Sequence, residues 1–369
     1  PLRINPGSEE YAEFGIRSTG RLAGTWTLDV DDSALPNGWS WEDDTPGGIV
    51  SVEIGVDDVW NPMLRIVSPP EALGSDSGFL TLTLSHDEGQ SEITANLPIE
   101  ANRTRGLSIR GPDGTGQSTG FGLVSEEARA WLLIENMGNA AEEQIAISWD
   151  GTDWGSNLRI FDSGGDEISA LSLGPGEGKE ATARLAVPSG TSPGESVSTP
   201  LSMCVGTGDE QECSQIQLEF VASRSVVQPS HMRSVPAHNL TWEILADLPE
   251  DTSEVNWSLT DSGMTMQGWS WGGNGDLSVT GDSIVLSGEP GSRISGTLSL
   301  DLPEDARPSF HLFEDSGPDD SESPLSLSIE VLQIHRAGLE VNSPTAQPFV
   351  VDVGDANLVV LRLENPGNG

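Results

Sequence analysis

The chain has 369 residues, with 58 acidic against 17 basic side chains and a formal net charge of −41. A surface this negative argues against nucleic acid, whose phosphates need clustered cations, and against anionic membrane surfaces. It suits a protein that stays soluble in salty water or one that gathers divalent cations. Hydrophobic residues make up 35%, with 11 tryptophans, while 43 glycines and 24 prolines punctuate short apolar runs. That composition excludes a disordered chain and indicates an all-β protein rich in turns.

In chain order, the readable elements are strands bounded by turns. Val52, Ile54 and Val56 alternate with polar residues, as do Leu80, Leu82 and Leu84, then Ile216, Leu218 and Phe220, and finally Leu325, Leu327, Ile329 and Val331. A period of two is the mark of a strand with one buried face. No segment carries a sustained 3.6-residue apolar period, and none is apolar for the 18 or so residues that a membrane-spanning helix needs. Asn136-Met137-Gly138-Asn139 and Asn365-Pro366-Gly367-Asn368 end apolar strands. Both residue types tolerate positive φ, so each reads as a tight turn. Cys204 and Cys213, the only cysteines, flank a segment containing Gly206 and Gly208. They read as a hairpin closed by a disulfide, which persists only in an oxidising compartment, the alternative being two free buried thiols.

The elements repeat. Gly38-Trp39-Ser40-Trp41 recurs as Gly268-Trp269-Ser270-Trp271, 230 residues later, and Trp154 lies midway. Trp39, Trp154 and Trp269 thus mark a period of about 115 residues and are expected to plug one end of each unit. Glycines 13 apart bracket Gly7–Gly20 and Gly354–Gly367, nearly three periods away, and Trp131–Gly138 matches them in the second copy. A proline step follows a strand at Ser68-Pro69-Pro70, Val187-Pro188 and Leu302-Pro303. The expected organisation is three β-sandwiches over residues 1–103, 104–222 and 223–335, with a truncated fourth over 336–369. Short linkers fall near 103–106, 222–226 and 334–338. Because the fourth unit stops after its first turn and Pro1 stands where a Met would, the chain reads as a window cut from a longer protein.

The strand ending in Asn-x-Gly-Asn, together with Leu35-Pro36-Asn37-Gly38-Trp39 and Pro69-Pro70-Glu71-Ala72-Leu73-Gly74, resembles the Ig-like repeats of the NEW and CARDB types found in large secreted and cell-surface proteins of archaea and bacteria. The resemblance covers nearly the whole chain. It implies tandem Ig-like β-sandwich domains acting as spacers, stalks, adhesive modules or accessory domains beside enzymes, and it carries no catalytic residues. The third copy departs from the pattern, with Ala246-Asp247-Leu248-Pro249 where the Asn-Gly turn is expected.

Chemical signals are sparse. Gly190-Thr191-Ser192-Pro193-Gly194 matches the G-x-S-x-G pattern, but no helix period follows the serine, so it reads as a turn. His86, His231, His238, His311 and His335 show no metal-ligand spacing and are expected on surfaces or in loops. Gly272–Asp276 lacks the phosphate-loop lysine; the one lysine is Lys179. Acidic clusters at Asp29, Asp31 and Asp32, at Asp43 and Asp44, at Asp57 and Asp58, and at Asp315, Asp319, Asp320 and Glu322 are either solvated loop charge or ligands for calcium, a hard cation that takes loop oxygens. Asn102, Asn239 and Asn256 head Asn-x-Ser/Thr sequons. The expectation is a non-enzymatic structural component of an extracellular or cell-surface array, with neighbouring repeats and self-assembly as its contacts. The alternatives are an adhesin or polysaccharide-binding module using Trp41 and Trp271 as exposed stacking platforms, or an accessory region of a secreted hydrolase.

Overall fold

The computed structural model describes residues 1–18, 23–87, 92–155, 157–208, 211–261, 269–281, 283–304, 306–315, 324–332, 338–342 and 360–364. The chain is all-β and folds as tandem Ig-like β-sandwiches. Among the described residues there is no helix long and apolar enough to cross a membrane. Three inner cores gather residues between Ile4 and Ala101, between Ile109 and Ala222, and between Val227 and Val331.

Alternation makes these cores. Leu80, Leu82 and Leu84 on Ser77–His86 are buried, and so are Ile216, Leu218 and Phe220 on Glu212–Ser223. A buried Leu or Ile contributes about 1.5–3 kcal/mol, so a one-residue slip that turned such a row to solvent would unfold its sandwich. Val56 is an exception to the expected row. Its strand ends at Ile54, and Val56 lies exposed beyond Gly55.

In each repeat an early strand lies parallel to the last. Leu2–Ile4 pairs with Glu92–Ala101, Gln117–Leu123 with Glu212–Ser223, and His231–Ser234 with Ser326–Val331. In the second and third repeats a preceding strand is antiparallel to its neighbour at the opposite end: Leu107–Arg110 on Glu127–Asn136, and Ser225–Gln228 on Asn239–Asp247. The chain therefore enters these sandwiches at one end and leaves at the other. The third repeat makes the split plainest. Its first strand lies in the sheet with Asn239–Asp247 and Arg293–Asp301, and after the cis Gln228–Pro229 bond the next strand joins the opposite sheet.

The proline steps share one device. The carbonyls of Pro69, Pro188 and Pro303 each accept the N–H three residues on, from Ala72, Thr191 and Ala306, at 3.1, 3.1 and 3.2 Å. Proline presets φ at the second position of such a turn, which Pro70 fills in the first copy and Ser189 and Glu304 in the others. Trp39 is buried in the first core, while Trp154 and Trp269 are half-buried against the second and third. The repeat marker Gly354–Gly367 of the fourth copy lies largely outside the described residues.

The Asn136–Asn139 turn does more than reverse the chain. The Asn136 side chain is fully buried, donating to the carbonyls of Ala140 and Leu173 and accepting the Gly138 N–H. Asn139 reaches into the first repeat, where its Nδ2 donates to the carbonyls of Ala72 at 3.2 Å and Asn102 at 2.9 Å. Its Oδ1 accepts the Thr104 N–H at 2.7 Å, and its own carbonyl accepts the Gly74 N–H at 2.7 Å. Gly74 has to be glycine for this approach: a Cβ there would lie 2.9 Å from Asn139 Oδ1 and 3.2 Å from Arg103 Cα. Beside the clamp, buried Glu142 takes Arg103 at 3.0 Å and Arg105 at 2.6 Å, as a buried carboxylate requires.

Asn139→Ala is expected to leave the sandwiches folded but loosen this junction by about 1–3 kcal/mol, since three partners lose a hydrogen bond. Hydrogen exchange at the Thr104 amide should accelerate markedly; unchanged protection would refute the clamp. Cys204 and Cys213 face each other across the hairpin of Ser196–Val205 and Glu212–Ser223 and are disulfide-bonded, nine residues apart. Replacing both with Ala should lower unfolding stability by about 2.5 kcal/mol, the chain-entropy value for so short a loop. A loss well above that, in urea titrations, would mean that the bond holds more than its own hairpin.

Candidate functional site

The second junction is the most elaborate feature of the described residues. It begins with an anomaly in Glu127–Asn136. Its burial does not alternate, and Trp131, Leu132, Leu133 and Ile134 are all buried. Leu132 and Ile134 belong to the inner core of the second repeat, whereas Trp131 and Leu133 face outward and are covered all the same. A continuous apolar run marks a strand buried on both faces, and Trp131 is covered by the third repeat.

Only Arg224 separates the strands Glu212–Ser223 and Ser225–Gln228, so the third repeat starts where the second ends. Its His231, 3% exposed, packs on Trp131 with ring centres 4.1 Å apart and lies 6.3 Å from Phe310. His231 Nδ1 is 2.8 Å from the Ser328 hydroxyl, and its buried Nε2 has no hydrogen-bond partner among the described residues. Burial, then the positive charges of Arg233 and Arg110, push the His231 pKa down to about 3. The ring is therefore neutral, and protonation would place an unsolvated charge against two arginines. Ion pairs frame the contact. Arg233 bridges Glu330 at 2.7 Å and, across the junction, Glu180 at 3.4 Å. Arg293 binds Asp247 at 2.7 Å and reaches Glu126 of the second repeat.

Next to this contact the sheet register places arginines side by side. Phe121 faces Arg129, Arg129 faces Arg184, and Arg184 faces Arg159 across four neighbouring strands. The Arg184 guanidinium lies 3.8 Å from the centre of the Phe161 ring and that of Arg159 5.1 Å, within cation–π range. Burial first, then the Arg129 charge, holds the Arg184 pKa below its ordinary value. Where the third repeat leans over this row it leaves a cleft of about 320 Å³, with Phe121, Arg129, Thr182 and Arg184 on one wall and Gln228 and Ser326 on the other.

The residues singled out in the sequence lie elsewhere. Asp29 and Asp31 are exposed on Gly24–Asp31, facing Thr83 and Thr81, and Asp32 follows. The Ser33 N–H, then its hydroxyl, hold the Asp31 carboxyl below its usual range. Asp315 accepts the Ser258 N–H at 3.0 Å; Asp319 and Asp320 lie outside the described residues. No group of three or more His, Cys, Asp or Glu side chains is arranged to hold a metal ion among the described residues. Asn239 and Asn256 are exposed on strands, while Asn102 is half-buried beside the first junction, donating to Asn5 at 2.8 Å. Two expectations are corrected. His231 and His311 are buried on strands rather than exposed, because aromatic rings take their faces. Trp41 and Trp271 are not exposed platforms: both are half-buried against their cores, and Trp271 meets Phe313 edge-on at 5.1 Å. His335 lies outside the described residues. The junction itself escaped the sequence reading, although the run Trp131-Leu132-Leu133-Ile134 was the signal that could have found it.

No family model and no curated protein matches the chain. Among solved structures it is similar to a protocadherin gammaB7 EC3-6 fragment at 12% identity, covering 100% of this chain and 82% of that one, with a TM-score of 0.33. It is also similar to an ICAM-5 D1-D4 ectodomain fragment at 10% identity, covering 99% and 96%, with a TM-score of 0.31. A protein of unknown function from Porphyromonas gingivalis W83 matches at 12% identity, covering 60% and 94%, with a TM-score of 0.23. Overall likeness this low carries nothing about arrangement or activity; the fold rests on the strand pairing itself.

His231 makes the second junction acid-sensitive. In the closed junction it stays neutral to about pH 3, whereas in an opened or unfolded chain it takes a proton near pH 6.5. The open form binds more protons between those values, so stability falls as pH drops through that window. The unfolding free energy of the native chain should fall by about 2–4 kcal/mol more than that of His231→Phe between pH 7 and pH 4. Parallel pH profiles for the two proteins would rule this out.

Proposed function

We propose that the chain is a non-catalytic structural segment of an extracellular or cell-surface protein, in which Ig-like sandwiches are stacked end to end and held at set angles to present or space other parts. The observation that carries this reading is the entry of the chain at one end of a sandwich and its exit at the other, with junctions that are bonded rather than loose. The first is held by Asn139 and by the Glu142 ion pairs. The second has a single linking residue and a buried Trp131–His231 contact. Such junctions resist bending, as a spacer requires. The Cys204–Cys213 disulfide supports an oxidising compartment, and the charge of −41 supports a well-hydrated surface.

X-ray scattering of the full chain tests this. A compact body of this length has a radius of gyration of about 21 Å. Three modules laid end to end, each with strands about 33 Å long, give about 30 Å. A value near 30 Å that persists in high salt is expected; a value near 21 Å would end the stalk reading.

A further inference from the structure

At the cleft of the second junction the charge logic of this chain reverses. The protein carries 58 carboxylates, yet among the described residues those lining the cleft include no acid and two arginines, Arg129 and Arg184, while Asp162 and Glu180 stand in the adjoining groove that shares Arg184 and Thr182. These two face each other directly across Glu127–Asn136 and Gly178–Ala186, with Arg159 next in the row. Like charges in directly opposed strand positions destabilise a sheet, and so few cations are left to spend that the arrangement is not an average of the composition. Neutralisation from within is incomplete. Glu127 pairs with Arg159 and, at 3.9 Å, with Arg184. Arg129 makes no ion pair among the described residues, donating only to the neutral Gln228 Oε1 at 2.9 Å. The Nε atoms of Arg129 and Arg184 are both buried without a hydrogen-bond partner. Those atoms are closed off from the cleft, but a guanidinium carries further donors shaped to grip a carboxylate in pairs.

We propose that this cleft binds the carboxylate of an acidic sugar, with Arg129 and Arg184 taking the charge and Thr182, Gln228, Ser230 and Ser326 taking the ring hydroxyls. Three observations select this ligand class. The cleft, about 320 Å³, is at the small end of ligand sites, which suits a single monosaccharide unit. Beyond the arginines its polar lining is hydroxyl and amide, set beside an apolar half made by Phe121, Trp131, Val226, Val227 and two prolines, a mixture that suits the polar edges and apolar face of a sugar ring. The surrounding field of a −41 chain repels polyanions, so the favoured ligand brings one carboxylate rather than a run of acidic residues or phosphates. Because both repeats contribute groups, occupancy also ties the second and third sandwiches together.

The test is calorimetric titration of the full chain with methyl β-glucuronide, with methyl β-glucoside, sodium acetate and an acidic peptide as comparison probes. The glucuronide is expected to bind at least about tenfold more tightly than the glucoside or acetate, the difference a charge-assisted pair provides. Arg129→Gln and Arg184→Gln should each weaken glucuronide binding about tenfold or more, with unchanged circular dichroism. Thr182→Ala, which keeps both charges, should weaken the glucuronide several-fold while leaving acetate unaffected, and so remains informative if an arginine variant fails to fold. Arg3→Gln, remote from the cleft, should change nothing. Equal binding of glucuronide and glucoside, tighter binding of the acidic peptide, or full affinity in the Thr182 and arginine variants would each overturn the proposal. The scattering result under the structural reading stands or falls separately from these.

Discussion

The parallel pairing of an early strand with the last strand of each repeat is the constraint on which the rest depends. Parallel neighbours cannot be joined by a hairpin, so the chain has to travel through the whole sandwich between them. In the second repeat, Leu107 begins opposite Asn136 at one end and Ser223 closes beside Leu123 at the other. A following sandwich can then only start at the far end. With Arg224 as the sole residue between strands, it starts in contact. The second junction follows from this topology: there is no slack to hold its repeats apart, so the surfaces that meet have to be built to meet; at the first, the longer link over 102–106 is tied down by hydrogen bonds instead.

The two junctions solve that requirement differently. At the first, backbone carbonyls and amides that would otherwise lack partners are served by a single side chain, Asn139, with a buried glutamate neutralised by two arginines. At the second, an outward-facing Trp131 is covered by the His231 ring, and ion pairs from Arg233 and Arg293 surround it. Scarce cations are placed where they bridge elements. In the first repeat Arg65 serves Glu9 at 2.9 Å and Asp44 at 3.2 Å, together with Glu42, across three strands. Against that background, the row of Arg129, Arg184 and Arg159 stands out, because there the cations face one another.

The sequence by itself determined the class of fold, because alternation and turn chemistry are local. A row such as Ile216, Leu218 and Phe220 can bury one face only as a strand. Proline at 69, 188 and 303 heads the same turn three times. Two cysteines across a glycine-containing segment close their hairpin. What depended on neighbours in space was decided only in the tertiary structure. Val56 fits an alternating row yet lies beyond its strand, exposed, because the turn at Gly55 ends the pairing. Trp41 and Trp271 have the look of surface platforms in a sequence, but packing against their cores takes most of their surface. His231 carries no local sign of burial; its environment comes from Trp131, a hundred residues earlier, and from Ser328, nearly as far ahead. The arginine row is likewise invisible along the chain, since register across four strands brings positions 129, 159 and 184 together. Local periodicity fixes which face of each strand turns inward, whereas the outer faces, where this protein makes its junctions and its cleft, acquire their character from whichever repeat folds over them.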